Sequence, residues 1–141
     1  MPIAVIMQRR SVQHRWADEA WSAVGVVPDR GELPRLQVLS ASPERDTYLV
    51  SGLELELYTD ENEGYYENIV APDSKVFVLW RMEDGKAMPA RASVSYLEGT
   101  RMFDSGEPAD GVTMPAEIYA WVAGYLRQHY QPKPRRGREH G

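Results

Sequence analysis

Pro115-Ala116-Glu117-Ile118-Tyr119-Ala120-Trp121-Val122-Ala123-Gly124-Tyr125-Leu126-Arg127-Gln128-His129 is the stretch on which the fold turns. Ile118, Trp121, Val122, Tyr125, Leu126 and His129 fall at i, i+3, i+4, i+7, i+8 and i+11, a single stripe about four helical turns long. Pro115 suits the first turn, where a missing N–H costs nothing. A helix with one apolar stripe must lay it on something, and the sequence before it reads mainly as strands.

Leu53-Glu54-Leu55-Glu56-Leu57-Tyr58 alternates with period two, so the leucines share one face and the glutamates the other. That predicts a half-buried strand of an antiparallel sheet. Thr59 to Gly64 reads as a polar turn, with Tyr65, Tyr66 and Ile69 beginning a return strand. Val76-Phe77-Val78-Leu79-Trp80 is apolar without interruption, which predicts a central strand covered on both faces. Ile3 to Met7, Trp16 to Val27 and Leu36 to Ser40 supply further strands, the second ended by Pro28. Ser95 followed by Glu98 fits a capping box for a short helix that closes by Gly106. The expected fold is α+β: a curved antiparallel sheet of about six strands, or a small half-barrel, packed against the C-terminal helix with a short helix before it. A pleckstrin-homology-like barrel with a helical plug is a specific alternative.

The 141 residues suit one domain, placed at 1–131, and are enough for a real core. The absence of cysteine excludes disulfide scaffolds, thiol catalysis and thiolate metal sites. Residues 132–141 carry Lys133, Arg135, Arg136 and Arg138 with little to bury, and read as a disordered basic tail. The net charge is −5, so removing the tail's +3 leaves −8 on the folded part, which would repel a polyanion. No nucleic-acid partner is expected. Arg9-Arg10 invites a twin-arginine reading, but no apolar core follows it, and the pair reads as an exposed strand end. No apolar run approaches about 18 residues, so a cytoplasmic protein with no membrane span is expected.

Glu54, Glu56, Asp60, Glu61, Glu63 and Glu67 fall within fourteen positions that contain no basic residue. Asp60, Asn62 and Gly64 superficially resemble a calcium loop. The glycine stands at loop position five instead of six, however, and Ala71 occupies the place of the bidentate glutamate. A solvated strand face explains the acids more simply, and a docking surface for a basic partner is the functional reading. His14, His129 and His140 have no metal-ligand spacing; His129 is expected to pack or to suit the helix C-terminus. Ser51-Gly52 and Ser105-Gly106 lack the frame of an activated serine, and no phosphate-cradling glycine loop is present. Trp80 and Trp121 are core by placement. Trp16 and Trp21, five apart, would face opposite sides of a strand, which leaves one of them available as a binding anchor.

The order Trp16, Trp21, Val24, Val26, Pro28, then Leu53-Glu54-Leu55-Glu56-Leu57, then Tyr66-Glu67-Asn68 spans the first half. Asp104-Ser105-Gly106-Glu107, Met114-Pro115, the Trp121 helix and the basic tail follow. Together these resemble a bacterial domain-of-unknown-function family whose genes commonly accompany formate dehydrogenase genes. The family has no established catalytic residues to carry over. The resemblance implies an accessory or maturation role around a molybdenum- or tungsten-dependent formate dehydrogenase, with its subunits or maturation factors as partners.

The leading expectation is a non-enzymatic protein-binding module with no cofactor. Its surfaces would be Trp16 and Trp21, the acids Glu54, Glu56, Asp60, Glu61 and Glu63, and the tail arginines Arg135, Arg136 and Arg138. A small-molecule-binding barrel is the alternative and predicts an apolar pocket with converging polar groups. A cryptic hydrolase or transferase would need carboxylates or His129 gathered in one cleft.

Overall fold

The computed structural model describes residues 1–12 and 18–132. Trp16, Arg135, Arg136 and Arg138, together with His14, His140 and the expected tail beyond Pro132, lie outside the described residues. The elements in chain order are β1 (Pro2–Ser11), β2 (Glu19–Pro28), β3 (Leu36–Ala41), β4 (Arg45–Glu54), a 3₁₀ turn (Thr59–Glu61) and α1 (Asn62–Val70). They continue through β5 (Lys75–Glu83), β6 (Lys86–Ser93), α2 (Tyr96–Asp104), β7 (Ala109–Thr113) and α3 (Ala116–His129). The fold is α+β. Two antiparallel sheets, ordered β2-β1-β4-β3 and β6-β5-β7, replace the expected single sheet, and no ladder joins them among the described residues. The barrel therefore does not close.

β1 shows why the larger sheet forms. Its alternation sends Ile3, Val5 and Met7, all fully buried, to the inner face. Val5 stands opposite Val26 on β2 and Val50 on β4, and Met7 stands opposite Ala23 and Tyr48. Such β-branched cross-strand partners are the unit of sheet stability. Ile118, Val122 and Leu126 of α3 complete the same core together with Val76, Val78 and Val112 of the smaller sheet. Fully burying a side chain such as Ile118 is worth about 1.5–3 kcal/mol. Pro115 acts as the N-cap of α3, one position ahead of the first turn.

β5 is buried on both faces, as its unbroken apolar run requires. Val76 and Val78 enter the main core, while Phe77 and Leu79 form a second cluster with Met102 of α2. Gly99 permits that second layer. A Cβ there would come within 2.7–2.8 Å of three Phe77 ring atoms, so only a bare backbone can approach.

The return strand expected at Tyr65 is a correction: residues 62–70 form α1. Its buried positions are Asn62, Gly64, Tyr65 and Asn68, so polar side chains carry much of its inward face. Asn68 is fully buried and fully engaged. Its Nδ2 donates to the carbonyls of Lys75 (2.7 Å) and Val94 (2.8 Å), and its Oδ1 accepts from the Lys75 N–H (2.9 Å). Asn62 ties the other end, donating to the His129 carbonyl and accepting from the Tyr125 hydroxyl at 2.8 Å. The alternation at 53–57 survives in burial even though the ladder stops at Glu54: Leu55 is buried, Leu57 half-buried, and Glu54 and Glu56 are exposed.

Where the sheets meet, one carboxylate oxygen bridges them. Asp110 Oδ2 on β7 accepts from the Ala23 N–H of β2 (2.9 Å) and from Trp80 Nε1 of β5 (2.8 Å). Deep in the core, the Tyr48 hydroxyl donates to the Ala87 carbonyl, and burial pushes its pKa up to about 12. Because the folded value exceeds the unfolded one of about 10, this contribution to stability is complete below pH 10 and is lost as pH climbs through 12. Denaturant unfolding over that window should show a steady fall. A stability unchanged up to pH 12 would contradict the burial of Tyr48.

Candidate functional site

The six acids are parcelled out by the backbone rather than gathered on a hairpin. Glu54 ends β4, Glu56 follows in an extended segment, Asp60 and Glu61 lie in the 3₁₀ turn, and Glu63 and Glu67 ride on α1. Some have structural work. Glu61 accepts from the Ser95 hydroxyl (2.7 Å) and pairs with Arg101 (2.7 Å), its side chain only 17% exposed. Ser95 is the N-cap of α2, accepting from the Glu98 N–H. The expected capping box is relayed: Glu98 accepts from the Ser93 hydroxyl, and Ser93 Oγ in turn accepts from the Ser95 N–H. Gly64 makes room for this network, since a Cβ there would stand 2.1 Å from Ser95 Oγ. Tyr65, buried beneath it, donates no negative charge to the site; burial first, then Glu98 and Glu61, hold its hydroxyl well above the ordinary range.

Trp21 is half-buried on the rim of the core, edge-on to the Tyr48 ring with centroids 6.5 Å apart. Trp80 and Trp121 also pack partly buried against the core. His129 is exposed, its ring 4.7 Å from that of Tyr125. Among the described residues, no group of three or more His, Asp or Glu side chains could hold a metal ion. The interior that a ligand-binding barrel would leave open is occupied by the fully buried Tyr48, Tyr65, Ile3, Met7, Leu55 and Ile118.

Among the grooves that open to the outside, one mainly apolar groove lies between α1 and α3. Tyr66 and Ile69 on one wall and Ala123 and Leu126 on the other, with Tyr130 and Pro132 at the end, line a groove of about 240 Å³. Its lining is mainly apolar, and Arg127 stands on the α3 side. Glu63 and Glu67 project from α1 and are exposed. The Tyr130 hydroxyl donates to Glu63 at 2.9 Å, and its ring packs on Tyr66 with centroids 5.3 Å apart. Burial, and then that acceptor, raise the Tyr130 pKa, so the phenol keeps its proton. Sequence reasoning found the acids by their charge but missed the groove, because reading 65–69 as a strand hid the helix pair that forms it.

No helix of the described residues is long and apolar enough to cross a membrane. No curated protein and no solved structure matches the chain. The family described as "Protein of unknown function (DUF3305)" matches residues 2–139, nearly the whole sequence, and the chain belongs to that family.

Proposed function

We propose that the chain is a non-enzymatic, protein-binding accessory module of the cytoplasm. On this reading the α1–α3 groove receives a basic, apolar segment of a formate dehydrogenase subunit or of a factor that matures that enzyme. The observation that carries the binding mode is the groove itself: an apolar floor beside an acidic helix, the complement of a segment that alternates cations with hydrophobic side chains. The filled interior supports recognition at the surface over storage of a small molecule. The formate dehydrogenase partner rests on the family resemblance described above.

The test is retention of purified formate dehydrogenase subunits and their maturation factors by the immobilised chain. Wild type should retain at least one of them, and binding should weaken as salt rises. Exchanging Glu63 and Glu67 together for lysine should weaken binding by about tenfold or more, about 1.4 kcal/mol or above. Ile69→Asp should do the same by wetting the floor. Retention of none by the wild-type chain would remove the formate dehydrogenase partner, and binding indifferent to all three substitutions would remove the groove.

A further inference from the structure

The end of α3 delivers the chain to the mouth of the α1–α3 groove. The two helices run antiparallel. The Tyr119 hydroxyl, near the start of α3, donates to the Ile69 carbonyl near the end of α1 (3.3 Å), and Asn62 at the start of α1 donates to the His129 carbonyl (3.1 Å). α3 therefore ends beside the first turn of α1. Tyr130 takes extended backbone there, with φ −145° and ψ 136°, and is held to Glu63 by its hydroxyl and to Tyr66 by its ring. Two residues on, Pro132 lines the groove together with Ile69, so the chain turns back along α1 instead of leaving it. α1 meets it with acid. Glu63 and Glu67 are exposed, and no ion pair among the described residues involves either. The last turn of α1 carries no cation against the negative end of its dipole.

We infer that residues 133–136 of this same chain dock along α1 in the groove, their cations against Glu67 and the C-terminal turn, so that any other basic segment must displace them. The displacement of a partner rests on the reading of the groove given above; the contact within the chain does not. Those four residues lie outside the described residues, and the groove, the charge and the reach carry the assignment. Pro132-Lys133-Pro134-Arg135-Arg136 alternates proline rings with cations before its final arginine, the complement of an apolar floor beside an acidic helix. The reach agrees. An extended proline-rich chain advances about 3.1 Å per residue, so four residues beyond Pro132 cover about 12 Å, and the nine residues of α1 extend about 13 Å. Arg127 on the α3 wall repels the cations towards α1. Exposed ion pairs are individually weak. A tethered segment nevertheless acts at an effective concentration in the millimolar range, so attachment favours it over an unrelated strand of equal charge.

A nitroxide on Gly137→Cys tests the contact directly, since the chain has no other cysteine and every cation stays in place. At low salt it should broaden the Val70 amide signal at the end of α1. The broadening should be lost at about 1 M salt, where the screening length is about 3 Å, and lost in Glu67→Lys. Broadening indifferent to both would report the tether alone and overturn the inference, as would its absence. Occupancy is tested with a synthetic peptide of residues 132–138 added to the full chain. Exchanging Lys133, Arg135, Arg136 and Arg138 together for serine should let that peptide bind about tenfold more tightly than to wild type, as expected if the chain's own segment fills the groove about nine-tenths of the time. The gain should vanish when Glu67→Lys is added. Equal affinity for the serine variant and wild type would overturn the inference. Neither measurement contains a formate dehydrogenase subunit, so the partner test above stands or falls separately.

Discussion

Asn68→Leu should lower the unfolding free energy by roughly 3–5 kcal/mol, although leucine is nearly the same size and more apolar. The substitution leaves the Lys75 N–H, the Lys75 carbonyl and the Val94 carbonyl without their side-chain partner. A buried polar group stripped of its partner costs about 1–3 kcal/mol, and the half-buried Lys75 groups fall at the low end. Asn68→Asp is the sharper variant. Its carboxylate could still accept from the Lys75 N–H but would face two carbonyl oxygens where Nδ2 now donates at 2.7 and 2.8 Å. The folded protein would then hold that acid above its ordinary pKa, so the variant should gain stability as pH falls and the carboxyl takes up a proton. Urea unfolding of both variants between neutral and acid pH supplies the test. A loss below about 1 kcal/mol for the leucine variant would mean the three bonds are not holding α1 to the smaller sheet.

Gly99→Ala should destabilise by about 1–3 kcal/mol, against the expectation from helix propensity, where alanine is favoured over glycine by up to about 1 kcal/mol. The new methyl group meets the Phe77 ring at 2.7–2.8 Å, so α2 must lift from β5 or the ring must leave its place. Gly99→Val should cost more. Shrinking the obstacle provides the control: combined with Phe77→Leu, the alanine substitution should cost less than the sum of the two alone, with a coupling of about 0.5–3 kcal/mol. Strict additivity would place the strain elsewhere, and a stabilised Gly99→Ala would show that the two elements do not approach so closely.

The first prediction concerns a place where the sequence was hard to read. α3 was legible because Ile118, Val122 and Leu126 repeat at helical spacing and all are buried. β5 was legible because Val76 to Leu79 are apolar in succession and the strand has cover on both faces. α1 was not. Asn62, Tyr65 and Asn68 repeat at helical spacing, yet two of the three are amides, and a hydrophobic pattern cannot register a buried face built from hydrogen bonds. The meeting of the two sheets was equally hidden, since Asp110 bridges them by reaching residues 87 positions and 30 positions away. β6, Lys86–Ser93, has no β-branched residue, and β7 carries Asp110 and Gly111 in its interior, so neither announces a strand. At the candidate site the charge was visible, but the groove was not, because it depends on the helix that the amides conceal.

The double acceptance by Asp110 has a consequence for how the molecule breathes. The Ala23 amide, on the outer edge of its sheet, owes its protection to a side chain on the opposite sheet rather than to a neighbouring strand. Its exchange with heavy water therefore times the parting of the seam, and the indole of Trp80, released by the same event, should change its fluorescence in step.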